Sequence, residues 1–224
     1  MIRLFTRRCV SDSPYRYGNR VQVSKHIREK QFGNDVLLFA GPSKLRSEAM
    51  SFINDSTQQR PKAFWEILAK RTNESIHLLD FTTLTAVMRA MASCPECEDL
   101  LVGVCRVVCE DIESRRDLAS RLQLFSDSLV VIETIQTRLG EIPITVMDNF
   151  IAFWTDNAHR IESTDDIKRL VRLLEQRPVT QTPSQTDQLL YKKLLHRWNR
   201  FSKTESPLAG PVPFSLLLDT VKNS

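Results

Sequence analysis

Glycine is scarce in this chain, six residues in all, and none of them clusters into the kind of loop that cradles a phosphate. There is no His-Glu-x-x-His, no Gly-x-Ser-x-Gly and no Asp-rich calcium loop, so the common zinc-peptidase, serine-hydrolase and EF-hand arrangements are excluded. The four histidines, His26, His77, His159 and His196, are widely separated. No apolar stretch approaches the roughly 20 residues that a membrane-spanning helix needs. The adjacent acids Asp165 and Asp166 are explained by helix capping rather than by acid–base work. A non-enzyme is expected, with no cofactor, no bound metal and no small-molecule substrate.

What the chain has instead is apolar residues at helical spacing. Its 224 residues are 42% hydrophobic, enough to bury a substantial core. Asp80 predicts the cap of a helix with Phe81, Leu84, Met88 and Met91 on one face. After the break at Ser93, Cys94 and Pro95, a second helix carries Leu101, Val104, Cys105, Val108 and Ile112. Each helix has one oily stripe, and a single hairpin cannot bury two such stripes in water, so similar hairpins are expected to stack on this one.

The pattern supplies them. Ser43 is read as the cap of a helix with Leu45, Ala49, Phe52 and Ile53 inward, and Pro61 opens its partner with Phe64, Trp65 and Leu68. Leu118, Leu122, Phe125, Leu129, Ile132 and Leu139 predict one long helix from Asp117, weakened at Ser126, Asp127 and Ser128 and stopped by Gly140. Pro143 starts the return helix with Met147, Phe150, Ile151, Trp154 and Ala158. Ser163 and Asp166 form a capping box before Ile167, Leu170, Val171 and Leu174. A polar connector from Thr180 to Thr186 leads to a second box, Ser184 with Asp187, and to Leu190, Leu194, Trp198 and Phe201. Val36 to Ala40 is read as packed coil, Val21 to Gln31 as a short basic helix and Phe214 to Val221 as a short terminal one. The expected fold is all-α: stacked helical hairpins, α-solenoid-like, with an extended basic N-terminal arm. Its parts are an arm over 1–42, a helical-repeat domain over 43–203 and a Pro-containing tail over 204–224. The closed oily faces are expected to leave no pocket for chemistry.

Charge is divided unevenly. Residues 1–30 hold eight Lys or Arg against two acids, 61–180 hold 14 against 19, and 181–224 hold six against three, so an acidic body has basic ends. Phosphate contact is therefore expected at the ends. The candidates are Arg3, Arg7, Arg8, Arg16, Arg20, Lys25, Arg28 and Lys30 in the arm, and Lys192, Lys193, Arg197, Arg200 and Lys203 near the C-terminus. Lys193, Arg197 and Arg200 share a helical face, with Trp198 read as a core anchor. Met1 to Val10 alternates Arg with apolar residues and resembles a mitochondrial presequence.

Cys94, Cys97, Cys105 and Cys109 place four thiols within 16 residues, which raises a zinc site. The short gap between the pairs and the core position of Cys105 favour buried thiols behind a Cys-x-x-Cys helix start.

The run Phe81 to Ala92, a Leu followed by small and apolar residues and ending Ala90, Met91, Ala92, resembles the repeats of FAST-kinase-like, heptatricopeptide and RAP-type proteins. That resemblance implies a mitochondrial helical-repeat protein of the matrix, tied to organelle RNA or the mitochondrial ribosome. The expected role is a structural subunit of the ribosome that contacts rRNA and neighbouring subunits. The alternatives are an accessory subunit of a respiratory complex or ATP synthase, and an RNA-processing factor.

Overall fold

The computed structural model describes residues 37, 39–55, 60–114, 118–175 and 184–202. The expectations placed on the basic arm, on the helices at 21–31 and 214–221, on Asp117 as a helix start and on the Pro-containing tail lie outside these residues. Among the described residues there is no strand, and eight α-helices follow one another. They are α1 (Pro42–Asn54), α2 (Lys62–Ser75), α3 (Phe81–Ala92), α4 (Glu98–Ser114), α5 (Phe125–Leu139), α6 (Ile144–Asn157), α7 (Thr164–Glu175) and α8 (Gln185–Ser202). Short 3-10 turns at Ile76–Leu78, Pro95–Cys97, Ala119–Arg121 and Ala158–Arg160 punctuate them.

Local chemistry sets most of the boundaries. Asp80 Oδ1 accepts the Thr83 amide at 2.7 Å and so satisfies one of the unpaired donors that open α3. The Asp166 amide donates to Ser163 Oγ at 3.1 Å to open α7. At α8 the box is reciprocal: the Ser184 amide donates to Asp187 Oδ2 at 2.7 Å and the Asp187 amide to Ser184 Oγ at 3.1 Å. The polar connector therefore ends at Ser184, with Gln185 and Thr186 already helical. Pro61 and Pro143 stand immediately before α2 and α6 with the extended backbone they favour. Gly140 ends α5 at φ +79°, a value open to glycine and strained for other residues.

Three boundaries differ from expectation. Ser43 is not a cap, because the helix starts two residues earlier than such a cap implies, with Gly41 as its extended flanking residue and Pro42 in the first turn. The long helix foreseen toward Leu139 is broken, since a 3-10 turn and an extended Leu122 precede α5, and Asp127 and Ser128 belong to the first turn of α5 rather than weakening its middle. The coil foreseen near Ala40 contains a helical Leu37, whose carbonyl accepts the Ala40 amide at 3.0 Å, and both residues are buried.

The helices lie in two rows. α1 packs on α3, α3 on α5 and α5 on α7, while α2 packs on α4, α4 on α6 and α6 on α8. Contacts of α3 with α4, α4 with α5 and α7 with α8 join the rows. α3 departs from the expectation of one oily stripe: wedged between α1 and α5 with α4 across from it, it exposes only Arg89 and Ala92. Small side chains at Thr82, Thr83, Thr85, Ala86 and Ala90 give its neighbours room to approach.

Polar bonds cross the core where helices meet. Thr82 Oγ1 donates to Asp127 Oδ2 at 2.6 Å and Thr85 Oγ1 to the Asp127 carbonyl at 3.2 Å, tying α3 to α5. Trp154 Nε1 donates to Ser128 Oγ at 3.0 Å, tying α6 to α5. The α5–α7 contact is fastened by a bidentate pair between Arg169 and Glu133.

Candidate functional site

α8 is placed by its apolar side. Leu190 and Leu194 are buried, Trp198 and Phe201 pack at the edge of the core, and the Lys168 ammonium stands 6.0 Å from the Trp198 ring centroid. The core-anchor reading of Trp198 matches this packing. Beside this stripe α8 meets the end of α6 and its 3-10 continuation, and there the helices leave an open cleft of about 350 Å³. Asp156, Ala158, His159, Lys192, Lys193, His196 and Arg197 line it. A pocket lined by ionisable groups was not foreseen; apolar packing closes the core, but the polar residues at the end of α6 are too hydrophilic to seal against α8.

Two of the cations are held by backbone. Lys193 Nζ donates to the Thr155 carbonyl at 2.8 Å, and Arg197 Nη2 donates to the Ile161 carbonyl. These carbonyls belong to the C-terminal end of α6 and the segment just after it, where the helix dipole is negative and a cation is stabilised. Arg197 also lies 5.2 Å from the Phe201 ring centroid, and its buried Nε has no hydrogen-bond partner among the described residues. Lys192 and Arg200 are exposed, and of these only Lys192 lines the cleft. Of the C-terminal candidates, then, Lys192, Lys193 and Arg197 come together and Arg200 stands apart. Lys203 and the eight arm candidates, Arg3, Arg7, Arg8, Arg16, Arg20, Lys25, Arg28 and Lys30, lie outside the described residues.

The cleft also holds two imidazoles that sequence spacing did not bring together. His159 lies on the 3-10 continuation of α6, its Nδ1 3.2 Å from the Asp156 carbonyl oxygen, and His196 lies on α8 between Lys192 and Arg197. Three cations against one acid make the cleft suited to an anion. The one available sequence signal was His196 itself, embedded among Lys192, Lys193 and Arg197.

The strongly shifted groups lie elsewhere. Burial pushes the thiols of Cys97 and Cys105 up to about 12 and that of Cys109 up to about 11, which keeps all three protonated at neutral pH and disfavours their holding a metal as thiolates. Cys105 and Cys109 are buried, as the core-thiol reading expected of them; at the Cys-x-x-Cys helix start Cys97 is buried as well and Cys94 is half-buried. Among the described residues no three His, Cys, Asp or Glu side chains are grouped as a metal site requires. Asp166 is also shifted upward, chiefly by burial, against the opposing pull of its Ser163 hydrogen bond and of Arg169.

No helix among the described residues is long and apolar enough to cross a membrane. No family model, no curated protein and no solved structure matches this chain.

Proposed function

We propose that this chain is a non-catalytic helical scaffold, an α-solenoid-like stack of hairpins that serves as a structural subunit of the mitochondrial ribosome in the matrix and meets rRNA through its basic parts. The observation that carries the reading is the cationic cleft at the end of α6, where Lys192, Lys193, His196 and Arg197 converge while the body from 61 to 180 is net acidic. Its support comes also from the alternate-helix packing, which is the order that stacked helix pairs produce. The Arg-bearing arm over 1–42 and the resemblance of Phe81 to Ala92 to FAST-kinase-like and heptatricopeptide repeats point to the organelle.

The test is binding of the full chain to fluorescent single-stranded RNA across a salt series. Lys192→Ala combined with Arg200→Ala, both exposed positions, is expected to weaken binding at every sequence tried. Each lost phosphate contact should flatten the salt slope by about 0.7, the value for a single strand. Binding that is absent, or that is indifferent to salt and to both substitutions, sinks the RNA reading. In cells, the chain should sediment with mitochondrial ribosomal particles and leave them as salt rises.

A second reading makes the chain an accessory subunit of a respiratory complex or ATP synthase. It is favoured by the acidic body, 19 acids against 14 basic residues over 61–180, a balance that disfavours contact of this part of the chain with RNA. Co-purification with a detergent-solubilised membrane complex, in place of ribosomal particles, would establish it.

A further inference from the structure

The turn between α3 and α4 holds chemistry that a scaffold does not need. Cys94 has extended backbone, Pro95 to Cys97 form a 3-10 turn, and the Cys97 amide donates to the Cys94 carbonyl at 3.0 Å. A turn closed in this way keeps its end Cα atoms within about 7 Å, which overlaps the roughly 4.4–6.8 Å that a disulfide spans. Cys94 is the capping residue of this turn and Cys97 its third helical residue, the two positions that reach toward each other at a capped helix start. That places the two thiols at the two ends of one tight turn.

Their exposures differ in a useful way. Cys94 is half-buried and within reach of a small reagent, whereas Cys97 is 1% exposed and shielded from one. The other pair behaves differently. Cys105 and Cys109 are both buried and sit four apart on the regular helix α4, where Cβ atoms stand about 5–6 Å apart. A disulfide needs about 3.5–4.5 Å between Cβ atoms, so this second pair cannot close without distorting a packed helix.

The geometry points to a reversible disulfide-forming dithiol at Cys94 and Cys97, exchanging with small-molecule disulfides of the glutathione class. The Cys94 thiolate attacks one sulfur of glutathione disulfide, which forms a mixed disulfide and releases one glutathione thiolate. Cys97 then loses its proton to water and attacks the Cys94 sulfur, expelling the second glutathione as its thiolate. Two protein thiols are oxidised by two electrons, one glutathione disulfide is reduced, and the two protons released end on the two glutathiones. Because burial gives the Cys97 thiolate no stabilisation, the reduced form is not favoured and the closed disulfide should resist reduction. Closing it would fasten the turn that joins the buried α3 to α4.

The experiment uses the full chain carrying Cys9→Ser, so that only the four thiols of this region are read. It is equilibrated without air in glutathione buffers from fully reduced to fully oxidised, quenched in acid, denatured, alkylated and mapped by peptide mass. The fraction in which Cys94 and Cys97 both escape alkylation, with no glutathione attached, is expected to rise with the oxidised form. Cys105 and Cys109 should stay alkylatable throughout. Adding Cys97→Ser should trap Cys94 carrying one glutathione. The proposal is overturned if Cys94 and Cys97 remain alkylatable at the most oxidising ratio, if Cys94 ends as a lasting glutathione adduct with Cys97 intact, or if Cys105 and Cys109 oxidise first. The first series needs no change at either thiol, so a variant that fails to fold does not protect the proposal.

Discussion

Arg121 and Asp111 form an ion pair inside the protein, Nη1 to Oδ2 at 2.5 Å, with both side chains almost fully withdrawn from water. The guanidinium does more than neutralise the carboxylate. Its Nε donates to the Leu79 carbonyl at 2.6 Å and Nη2 to the Ile76 carbonyl at 3.1 Å, and its plane lies 5.4 Å from the Phe81 ring centroid. One side chain thus fastens the 3-10 turn after α2, the entry to α3 and the last turns of α4.

Removing one half of this pair leaves the other charge buried without its partner. Arg121→Met is expected to destabilise the fold by about 3–5 kcal/mol, read as a lower denaturant midpoint. Arg121→Met with Asp111→Leu should recover part of that loss, because no buried charge then remains. If Arg121→Met alone is neutral, the pair has no structural role.

The bond from Thr82 to Asp127 predicts a smaller effect. Thr82→Val keeps the shape of the side chain but leaves Asp127 Oδ2 without the Thr82 hydroxyl, at a cost of about 1–3 kcal/mol. Trp154→Phe, which loses the donor to Ser128, should cost at least the ordinary value of about 1 kcal/mol. The two substitutions meet at neighbouring residues of α5, so the double variant should depart from additivity in thermal or chemical unfolding.

Lys192 and Lys193 are adjacent but should respond in opposite ways. Lys193→Met removes the cation on the Thr155 carbonyl and is expected to lower stability by about 1 kcal/mol. Lys192→Ala at its exposed position should leave stability within about 0.5 kcal/mol while weakening RNA binding. Paired unfolding and binding measurements on the two variants separate the structural cation from the recognising one.

Asp166 supplies a pH signature with a definite sign. Burial raises its folded pKa above the unfolded value, so between those two values the folded state binds more proton than the unfolded state. Stability attributable to this carboxyl is therefore highest at low pH and is lost as pH rises through the folded pKa. Compared with Asp166→Asn, the native protein should lose stability as pH climbs through the region just above the ordinary carboxylate range. Unfolding curves collected on both proteins across that window will check it, and parallel curves would refute it.

Local signals in the chain were enough to place most helix ends. The boxes at Ser163 and Ser184, the caps and breaks at Asp80, Pro61, Pro143 and Gly140, and the apolar positions of α4 and α6 all act within a few residues, so spacing reveals them. What was hidden depends on partners far along the chain. Nothing near Arg121 tells a reader that its donors must reach the carbonyls of Ile76 and Leu79, more than 40 residues away, and that reach accompanies the break in the helical run before Phe125. Asp127 and Ser128 looked like helix weakeners because their partners, Thr82 and Trp154, sit on other helices. The cleft escaped notice for the same reason, as His159 and His196 meet only after α6 and α8 have packed.

The burial of α3 bears on what the run Phe81 to Ala92 records. With only Arg89 and Ala92 in solvent, this helix offers a visiting molecule almost no lettering to read. Its small and apolar side chains answer to interior fit, with α1, α4 and α5 pressing from several sides. Any guest must therefore be met by other helices, whose exposed residues can vary while this interior fit is kept.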